Sequence, residues 1–378
     1  MAIITNIEDL RRRAHRKVPR DVMDYYESGS YSEETLAANR ADLTAIKLRQ
    51  KILAGATGRT LETQVLGETR SMPVGLAPVG LLGLGHRDAE IAAARAAEAA
   101  NVPFTLSTMS ICSIEDVAGA VTKPFWFQLY IMKDKGFIAD LISRARAVNC
   151  SALVLTVDLQ VLGQRHRDVK SGLTVPPRMR LDTALRMAAK PGWVMSVLAG
   201  KRKTFGNLAG RVEGMSGTFT LAQWTQSQFD QALSWKDVEW VKSLWPGKLI
   251  LKGILDVDDA HAAAASGADA LVVSNHGGRQ LDGAPSSISQ LPKIAGAVSG
   301  KIEVMFDGGI RSGQDVFRAL ALGAKSCLIG RALAYGVCAA GEAGVTQALE
   351  ILRKELDVTM ALTGVRTIDA IDRSSIVT

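Results

Sequence analysis

Cysteine is scarce in this chain of 378 residues, and its four cysteines are widely scattered. Cys112, Cys150, Cys327 and Cys338 form neither a CxxC motif nor a Cys/His metal spacing. Such an arrangement in a chain of this length argues against a disulfide framework and against a zinc site. We expect four buried thiols and no metal site.

Long hydrophobic runs are also missing. No apolar stretch approaches the ~20 residues that a helix needs to cross a bilayer. The first residues, MAIITNIEDLRRRAHRK, carry acids where a signal peptide would be apolar. Since 47% of the residues are hydrophobic, the chain has ample material for a core. We therefore expect a globular, cytoplasmic protein.

Charge is concentrated in one segment. The formal net charge is +7, but residues 174–215 alone contribute +6, which leaves the rest of the chain nearly neutral. A general nucleic-acid-binding protein would spread basic and aromatic residues over a folded face, so no nucleic-acid partner is expected. The eight basic residues of the segment are Arg178, Arg180, Arg186, Lys190, Lys201, Arg202, Lys203 and Arg211.

Eight short apolar runs follow one another from residue 74 onward, with helical patterns between them. They lack strict alternation, which is typical of parallel strands covered on both faces. Eight strand–helix units predict a (β/α)8 TIM barrel. A doubly wound sheet is the alternative, although no GxGxxG follows the first run. The runs are 74–78, 103–107, 125–130, 152–158, 248–253, 270–275, 303–309 and 326–331.

The same pattern predicts the domain organisation. We expect a single domain over residues 1–378, with an N-terminal helical cap at 1–73 and the barrel at 74–378. Residues 159–230 would form a long loop after the fourth strand. A loop of that length within a compact domain is usually functional or mobile.

Nearly every predicted strand ends in polar residues, where a TIM barrel carries its reactive groups. The segments DGGIRSG and IGR, after strands seven and eight, combine glycines, a following helix N-terminus and two arginines. This combination is typical of a phosphate site. The strand ends carry Pro78, Gly80, Ser107, Thr108, Gln128, Tyr130, Thr156, Asp158, Arg165, Lys252, Ser274, His276, Arg279, Asp307, Gly308, Gly309, Arg311, Gly330 and Arg331.

Lys252 and His276 suggest oxidation beside a bound flavin. A lysine that emerges from an apolar strand is costly to bury unless an anion faces it. Lys252 would balance the charge of a reduced flavin, and a salt bridge to Asp307 is the alternative. Asp158 is the nearest candidate by strand position to fix the tautomer of His276 and to stabilise its charged form.

These motifs are similar to those of the FMN-dependent L-2-hydroxy acid dehydrogenase and oxidase family. The chain most resembles its bacterial, membrane-associated L-lactate and mandelate dehydrogenase branch. The likeness covers essentially the whole chain, and SNHGGRQLDG is its most specific part. The other shared motifs are DYYESG, MPVGLAPVG, TLSTMSICSIEDVA, WFQLY, TVD, LKGIL, DGGIRSGQDVFRALALGA and IGRALAYG.

The resemblance implies a role for each candidate residue. His276 would remove the substrate proton with Asp158 as its partner, and Arg279 would clamp the substrate carboxylate, for which its planar fork is suited. Further substrate contacts would come from Tyr25, Tyr130 and Arg165. The flavin ring of FMN would contact Pro78, Ser107, Gln128, Thr156, Lys252 and Ser274. Asp307 would reach the ribityl chain, and the phosphate would be held by Gly309, Arg311, Gly330 and Arg331.

The expected reaction is FMN-dependent oxidation of an L-2-hydroxy acid, with electrons passed to a quinone or cytochrome. Lactate is the first choice of substrate, before mandelate and glycolate, and an oxidase that uses oxygen is an alternative. A non-redox phosphosugar isomerase or aldolase with Lys252 as Schiff-base nucleophile, and a non-catalytic binding barrel, are alternatives from other classes. Met109 and Gly80 differ from the tryptophan and alanine of plant-type oxidases, which bears on the size of the pocket.

Residues 174–215 predict contact with an anionic membrane. They combine a basic flank, 201–203, with the apolar piece WVMSVLAG at 193–200. A mobile lid that attracts an acidic substrate is the alternative. We expect a homotetramer attached peripherally to the inner face of the cell membrane, mainly by electrostatic attraction that high salt would weaken.

Overall fold

A computed structural model describes residues 3–55, 57–172, 181–210 and 227–377. The strands in these ranges are β1 (Lys47–Leu48), β2 (Thr63–Val65), β3 (Glu68–Arg70), β4 (Val74–Leu76), β5 (Thr105–Ser107), β6 (Trp126–Tyr130), β7 (Ala152–Thr156), β8 (Lys248–Ile254), β9 (Ala270–Val273), β10 (Glu303–Asp307), β11 (Ser326–Ile329) and β12 (Ile376–Val377).

The α-helices in the same ranges are α1 (Ile7–Lys17), α2 (Arg20–Glu27), α3 (Glu34–Ala45), α4 (Ala89–Ala100), α5 (Ile114–Ala118), α6 (Lys135–Ala147), α7 (His166–Ser171), α8 (Leu181–Ala188), α9 (Pro191–Ala199), α10 (Trp235–Leu244), α11 (Val257–Ala265), α12 (Ser287–Ala297), α13 (Gly313–Ala321) and α14 (Arg331–Thr363).

Strands β4 to β11 form a closed parallel barrel. Each strand lies beside its successor in the chain, and β11 lies beside β4. A parallel bridge between Leu76 and Phe104 brings β4 beside the start of β5 and completes the ring. The predicted (β/α)8 barrel is confirmed, with a strand in each of the eight predicted runs, although β8 extends one residue beyond its run. The doubly wound alternative is wrong, because an open sheet would keep two unpaired edges.

The inside of the barrel is filled at the end where its strands begin. β7 and β9 are buried along their whole length, as their unbroken apolar sequences predict. Their inward side chains join an inner cluster made by Val65, Ala77, Trp126, Ala152, Val154, Ile250, Ala270, Val272, Met305 and Leu328. Because this end is packed with side chains, a ligand has room only at the carboxyl ends of the strands.

The first 73 residues contact both ends of the barrel. Helices α2 and α3 lie over the carboxyl ends, where Asn39 hydrogen-bonds Asn275. The β2–β3 hairpin reaches the opposite end, where the backbone N–H of Leu66 donates to Glu303. Helix α1 packs along α14 on the outside of the barrel. The segment predicted as a cap therefore also closes the floor, while the boundaries of cap, barrel and long loop stay a prediction.

The described part of the long loop contains α7, α8 and α9. Arg186 of α8 donates three hydrogen bonds to Asp21 of α2, and the indole of Trp193 donates to the carbonyl of Leu84 at 2.7 Å. These contacts fix the loop against the N-terminal helices and the loop after β4. Within the described ranges, no helix is long and apolar enough to span a membrane.

The cysteine prediction is confirmed, since all four cysteines are buried and unpaired with one another. Burial raises the pKa of the Cys150 thiol to about 12, which leaves it protonated and unreactive at neutral pH. No cluster of His, Cys, Asp and Glu suited to a metal ion occurs in the part of the chain that the structure describes.

Candidate active site

A cavity of about 470 Å³ opens at the carboxyl ends of the barrel strands. Its volume lies in the range of small-molecule sites. Thirteen predicted site residues line it: Tyr25, Pro78, Tyr130, Thr156, Arg165, Lys252, His276, Arg279, Asp307, Gly309, Arg311, Gly330 and Arg331. The other four, Ser107, Gln128, Asp158 and Ser274, lie just behind this wall and hydrogen-bond to it or to one another.

His276 and Asp158 form the titratable pair that the sequence predicted. The imidazole Nδ1 of His276 lies 2.8 Å from Oδ1 of Asp158. Gly253, on the strand between them, makes this approach possible, because a Cβ atom there would lie 2.5 Å from Cγ of Asp158. Since Nδ1 is engaged by the carboxylate, Nε2 is the nitrogen of His276 that is left for a ligand.

The pair combines a neutral base with an anionic partner at neutral pH. Burial lowers the pKa of His276 and outweighs the opposing effect of Asp158, while Lys252 lowers it further. Burial alone would raise the pKa of Asp158, but the charge and hydrogen bond of His276 keep it below the usual value. The arrangement therefore suits general base catalysis, in which Asp158 stabilises the imidazolium that forms.

Arg279 is held in place by backbone carbonyls. Its Nη1 donates to the carbonyls of Tyr25 at 2.7 Å and Ser28 at 2.9 Å, and its guanidinium lies over the Tyr25 ring, 5.2 Å from the centroid. Nη2 is 4.0 Å from the Asp168 carboxylate. With Nη1 engaged, the Nε and Nη2 side of the fork is the side that is left to bind a carboxylate.

Arg165 adds a second cation to the same wall. Its Nε donates to the carbonyl of Arg279 at 3.4 Å, and burial, reinforced by the charge of Arg279, lowers its pKa to about 10. Asp168 is the buried acid beside these two cations, and it accepts a hydrogen bond of 2.6 Å from the Ser28 hydroxyl. Two guanidinium groups beside one acid favour the binding of an anion.

Tyr130 stands opposite these cations with a protonated hydroxyl. Burial raises its pKa, and the nearby Asp158 charge raises it further, so the group stays a hydrogen-bond donor across the neutral range. Its ring packs edge-on against Phe229, with centroids 6.2 Å apart. The wall around it is apolar and consists of Met109, Leu159, Leu162, Phe205 and Phe229.

Lys252 forms a buried ion pair with Asp307, which the sequence analysis gave as an alternative role. Its Nζ lies 3.0 Å from Oδ2 of Asp307 and donates to Oγ of Ser274 at 3.0 Å. Burial would lower the pKa of Lys252, but the charges of Asp307 and Asp158 raise it above the usual value. The lysine is therefore a permanent cation inside the cavity.

Three buried polar atoms around the cavity have no hydrogen-bond partner among the residues that the structure describes: Nε2 of Gln128, Oδ1 of Asp307 and Oδ2 of Asp158. A buried polar atom without a partner costs roughly 1–3 kcal/mol, so such atoms mark places where a ligand is expected. One donor, on Gln128, and two acceptors, on Asp307 and Asp158, are thus available around the cavity, which fits a polar cofactor.

The residues predicted to hold a phosphate include two buried arginines. Burial, reinforced by the charges of Arg311 and Arg279, lowers the pKa of Arg331 to about 9. Its guanidinium donates to the carbonyls of Tyr26 and Gly277 at 3.0 and 2.8 Å, while Arg311 lies 5.5 Å from the ring centroid of Tyr335. A dianionic phosphate would balance the two guanidinium groups.

Four residues around the site were not identified from the sequence. Asp168 and Ser28 contact Arg279, Asn39 contacts the loop that carries His276, and Arg40 donates to the carbonyl of Gly309. Asp168 follows Arg165 by three residues, and this spacing was its only local signal. The other three lie in the N-terminal helical region, far from the glycine-rich motifs in sequence.

The comparison with known families agrees with this geometry. Residues 14–378 match the family model of FMN-dependent dehydrogenases. The chain belongs to the FMN-dependent dehydrogenase family. It is 48% identical over 373 residues to L-lactate dehydrogenase of Caulobacter sp. (strain K31), with 98% of both chains covered. It is 47% identical over 367 residues to L-lactate dehydrogenase of Ectopseudomonas mendocina (strain ymp), with 97% of both covered.

Among solved structures, the chain is similar to that of the monotopic membrane protein (S)-mandelate dehydrogenase. The TM-score is 0.95, the sequence identity is 35%, and both chains are covered completely. This FMN-dependent dehydrogenase is therefore an oxidoreductase. The isomerase, aldolase and non-catalytic alternatives are wrong, because the family uses its barrel for flavin chemistry.

Proposed function

We propose that this enzyme oxidises L-lactate to pyruvate with FMN and passes the electrons to a quinone or cytochrome. The observation that carries the proposal is the His276–Asp158 pair, in which His276 lines one cavity with Arg279 and Lys252. The L-lactate dehydrogenases to which the chain is 47–48% identical support the choice of substrate. A bound FMN would supply the oxidant for the two electrons and the second hydrogen that the carbinol group loses.

The residues of this chain bind the substrate, accept its proton and balance the charge of the cofactor. Arg279 and Arg165 bind the substrate carboxylate, and Tyr130 donates a hydrogen bond to the reacting hydroxyl. Nε2 of His276 accepts one substrate proton, and Asp158 stabilises the resulting imidazolium across the 2.8 Å bond. Lys252 supplies the positive charge that offsets the electron density acquired by the cofactor.

The proposed cofactor contacts are chosen from the buried polar atoms that have no partner and from the buried cations of the cavity. The Gln128 amide and the Ser107, Thr156 and Ser274 hydroxyls contact the flavin ring with Pro78, and the free oxygen of Asp307 accepts from a ribityl hydroxyl. The phosphate binds between the backbone of Gly309 and Gly330 and the guanidinium groups of Arg311 and Arg331.

Mandelate is the second candidate substrate, favoured by the likeness to (S)-mandelate dehydrogenase. The unbranched Met109 is adaptable and tolerates a methyl or a phenyl substituent. Gly80 leaves room beside it, since a Cβ atom there would lie 3.4 Å from Cβ of Met109 and 3.5 Å from the Tyr25 hydroxyl.

One experiment tests the reaction and ranks the substrates. The purified yellow protein is assayed with L-lactate, (S)-mandelate and glycolate, each with a quinone analogue and with oxygen as electron acceptor. We expect the highest kcat/KM with L-lactate and the quinone analogue. Higher kcat/KM with mandelate would make the second candidate correct, and faster turnover with oxygen would make the enzyme an oxidase.

We further propose that α8 and α9 attach the enzyme to a membrane. Four of their apolar side chains are exposed: Leu181 by 79%, Leu185 by 63%, Met195 by 71% and Leu198 by 65%. Such a surface suits the boundary between lipid headgroups and acyl chains. It also fits the membrane attachment of the structural relative and the use of a quinone, which resides in the bilayer.

Three of the basic residues behind the electrostatic part of the prediction are engaged within the protein. Arg186 pairs with Asp21 and Asp182, and Arg202 pairs with Asp88 and Asp116. Lys190 donates to two backbone carbonyls of α1. These three cations hold the loop to the protein, whereas Lys201 is exposed. Electrostatic attraction stays a prediction, and we propose that apolar contact adds to it. Arg178, Arg180 and Arg211 lie outside the described residues.

Attachment to the inner face of the cell membrane and assembly as a homotetramer are proposed from the resemblance to the membrane-associated branch. Light scattering of the detergent-solubilised enzyme tests the tetramer, and a monomeric mass would contradict it.

A further inference from the structure

The backbone that carries His276 is in an unusual conformation. His276, Gly277 and Gly278 have φ angles of 56°, 66° and 74°, so three consecutive residues are left-handed. For a residue with a side chain, this region is sparsely populated and persists only where the surroundings hold it. Whatever holds this turn also determines where the imidazole of His276 stands.

Neighbouring side chains provide part of that hold. Oδ1 of Asn275 accepts a hydrogen bond of 3.1 Å from the backbone N–H of Gly278, and Oγ of Ser274 accepts one of 3.1 Å from that of His276. Gly278 also lies against helix α3, where a Cβ atom would be 2.6 Å from the backbone nitrogen of Leu36. The turn is thus closed by the Asn275 amide and fitted to α3.

Asn39 of α3 fixes the Asn275 amide by a reciprocal pair of hydrogen bonds. Nδ2 of Asn39 donates to Oδ1 of Asn275 at 2.9 Å, and Nδ2 of Asn275 donates to Oδ1 of Asn39 at 2.8 Å. The Asn39 oxygen also accepts from the backbone N–H of Ser287 at 3.1 Å. Asn39 is 2% exposed and is not part of the cavity wall.

We propose that Asn39 is a positioning residue for His276, acting through the Asn275 amide that closes the left-handed turn. The inference rests on the proposed role of His276 as the base, but not on which 2-hydroxy acid is the substrate. Without Asn39, the Asn275 side chain loses a donor and an acceptor at once. The turn then samples other conformations, and Nε2 of His276 leaves the position in which it meets the substrate.

Three substitutions of Asn39 test this positioning role. Asn39→Ala and the larger, apolar Asn39→Leu remove all three hydrogen bonds of the side chain. Asn39→Asp keeps the acceptor for Asn275 and Ser287 but replaces the donor with a buried carboxylate oxygen that faces Oδ1 of Asn275. Thr44→Ala is the control on the same helix, because the exposed Thr44 hydroxyl bonds only to carbonyls of α3. Ile7→Val controls for lower stability, since Ile7 is a buried core residue of α1.

Rates are expressed per bound FMN, because the Asn39 carbonyl also lies beside Gly309 of the phosphate site. We expect Asn39→Ala and Asn39→Leu to lower kcat by up to ~10²-fold with little change in KM, as for a catalytic group displaced by about 1 Å. Asn39→Asp should lower kcat at least as much as Asn39→Ala, because its buried carboxylate would repel Oδ1 of Asn275. The isotope effect with substrate deuterated at the carbinol carbon should rise, because cleavage of that bond becomes more rate-limiting.

Hydrogen exchange gives a readout that needs no substrate. In Asn39→Ala, the amides of residues 275–279 should exchange faster, while those of β4 and β11 keep the wild-type rate. Wild-type kcat per FMN and isotope effect in Asn39→Ala would overturn the proposal, even if its Tm fell as in Ile7→Val. If the wild type oxidises no 2-hydroxy acid, the proposed function fails, and unchanged exchange at 275–279 would then separately overturn the positioning role.

Discussion

Nδ1 of His276 and Oδ1 of Asp158 lie 2.8 Å apart, although the two residues follow strands that are not neighbours in the barrel. Strand β8 runs between them, and its Gly253 leaves the space that the Asp158 side chain occupies. The bond fixes one tautomer of the imidazole and aims Nε2 away from Asp158. It also links the loops after β7 and β9.

This pair predicts the pH dependence of the reaction. The base must be neutral, and burial lowers the pKa of His276 from its usual value of 6.5. As the pH falls through that lowered pKa, His276 becomes protonated and kcat/KM of the wild type should decline, so the acidic limb should lie below pH 6.5. His276→Gln should retain FMN, lose this limb and lose ~10²–10⁴-fold in rate. An active variant with the limb intact would show that another group is the base.

Arg279→Lys should separate substrate binding from cofactor binding. Lysine keeps the charge but loses the planar fork and the two carbonyl bonds that orient it. We expect weaker substrate binding, by roughly 1.5–3 kcal/mol for a charge-assisted hydrogen bond, with FMN content unchanged. Steady-state KM and flavin absorbance measure the two effects. Loss of FMN with normal KM would move Arg279 from the substrate site to the cofactor site.

Lys252→Met should affect both stability and the flavin. The Asp307 carboxylate would stay buried without its cation, which costs about 3–5 kcal/mol in the free energy of unfolding. The midpoint potential of bound FMN should also fall, because positive charge beside the ring is lost. Lys252→Met combined with Asp307→Asn should recover stability but not the potential. The exposed Lys248 pairs with Asp269, so Lys248→Met serves as the control. An unchanged potential in Lys252→Met would place Lys252 away from the flavin ring.

The exposed face of α8 and α9 predicts how the enzyme leaves a membrane. Because its apolar side chains are exposed while Arg186 and Arg202 are paired within the protein, the enzyme should pellet with anionic vesicles and stay bound in high salt. Detergent should release it. Leu185→Glu with Leu198→Glu should shift it to the supernatant with its activity toward small dyes intact. Val358→Glu, at another exposed apolar residue, is the control. Release of the wild type by salt alone would restore the electrostatic interpretation.

The sequence by itself determined the barrel and most of the cavity wall. Eight apolar runs have the length and composition of buried parallel strands, and the polar residue that follows each run must then lie at the carboxyl end of the barrel. His276, Lys252 and Arg279 could therefore be assigned to one site by local position alone. SNHGGRQLDG and DGGIRSG added the chemistry, because their spacing is typical of one family.

Tertiary structure decided which side chains complete and support that site. Asn39 is far from Asn275 in the chain, as Ser28 is from Asp168, and no local periodicity relates such pairs. Two cations of residues 174–215 also have partners that the sequence alone does not reveal. As a sequence they form a basic patch, but folding brings Asp21 and Asp88 beside Arg186 and Arg202. A charge count gives the sign of a segment, whereas its availability depends on which opposite charges the fold places within reach.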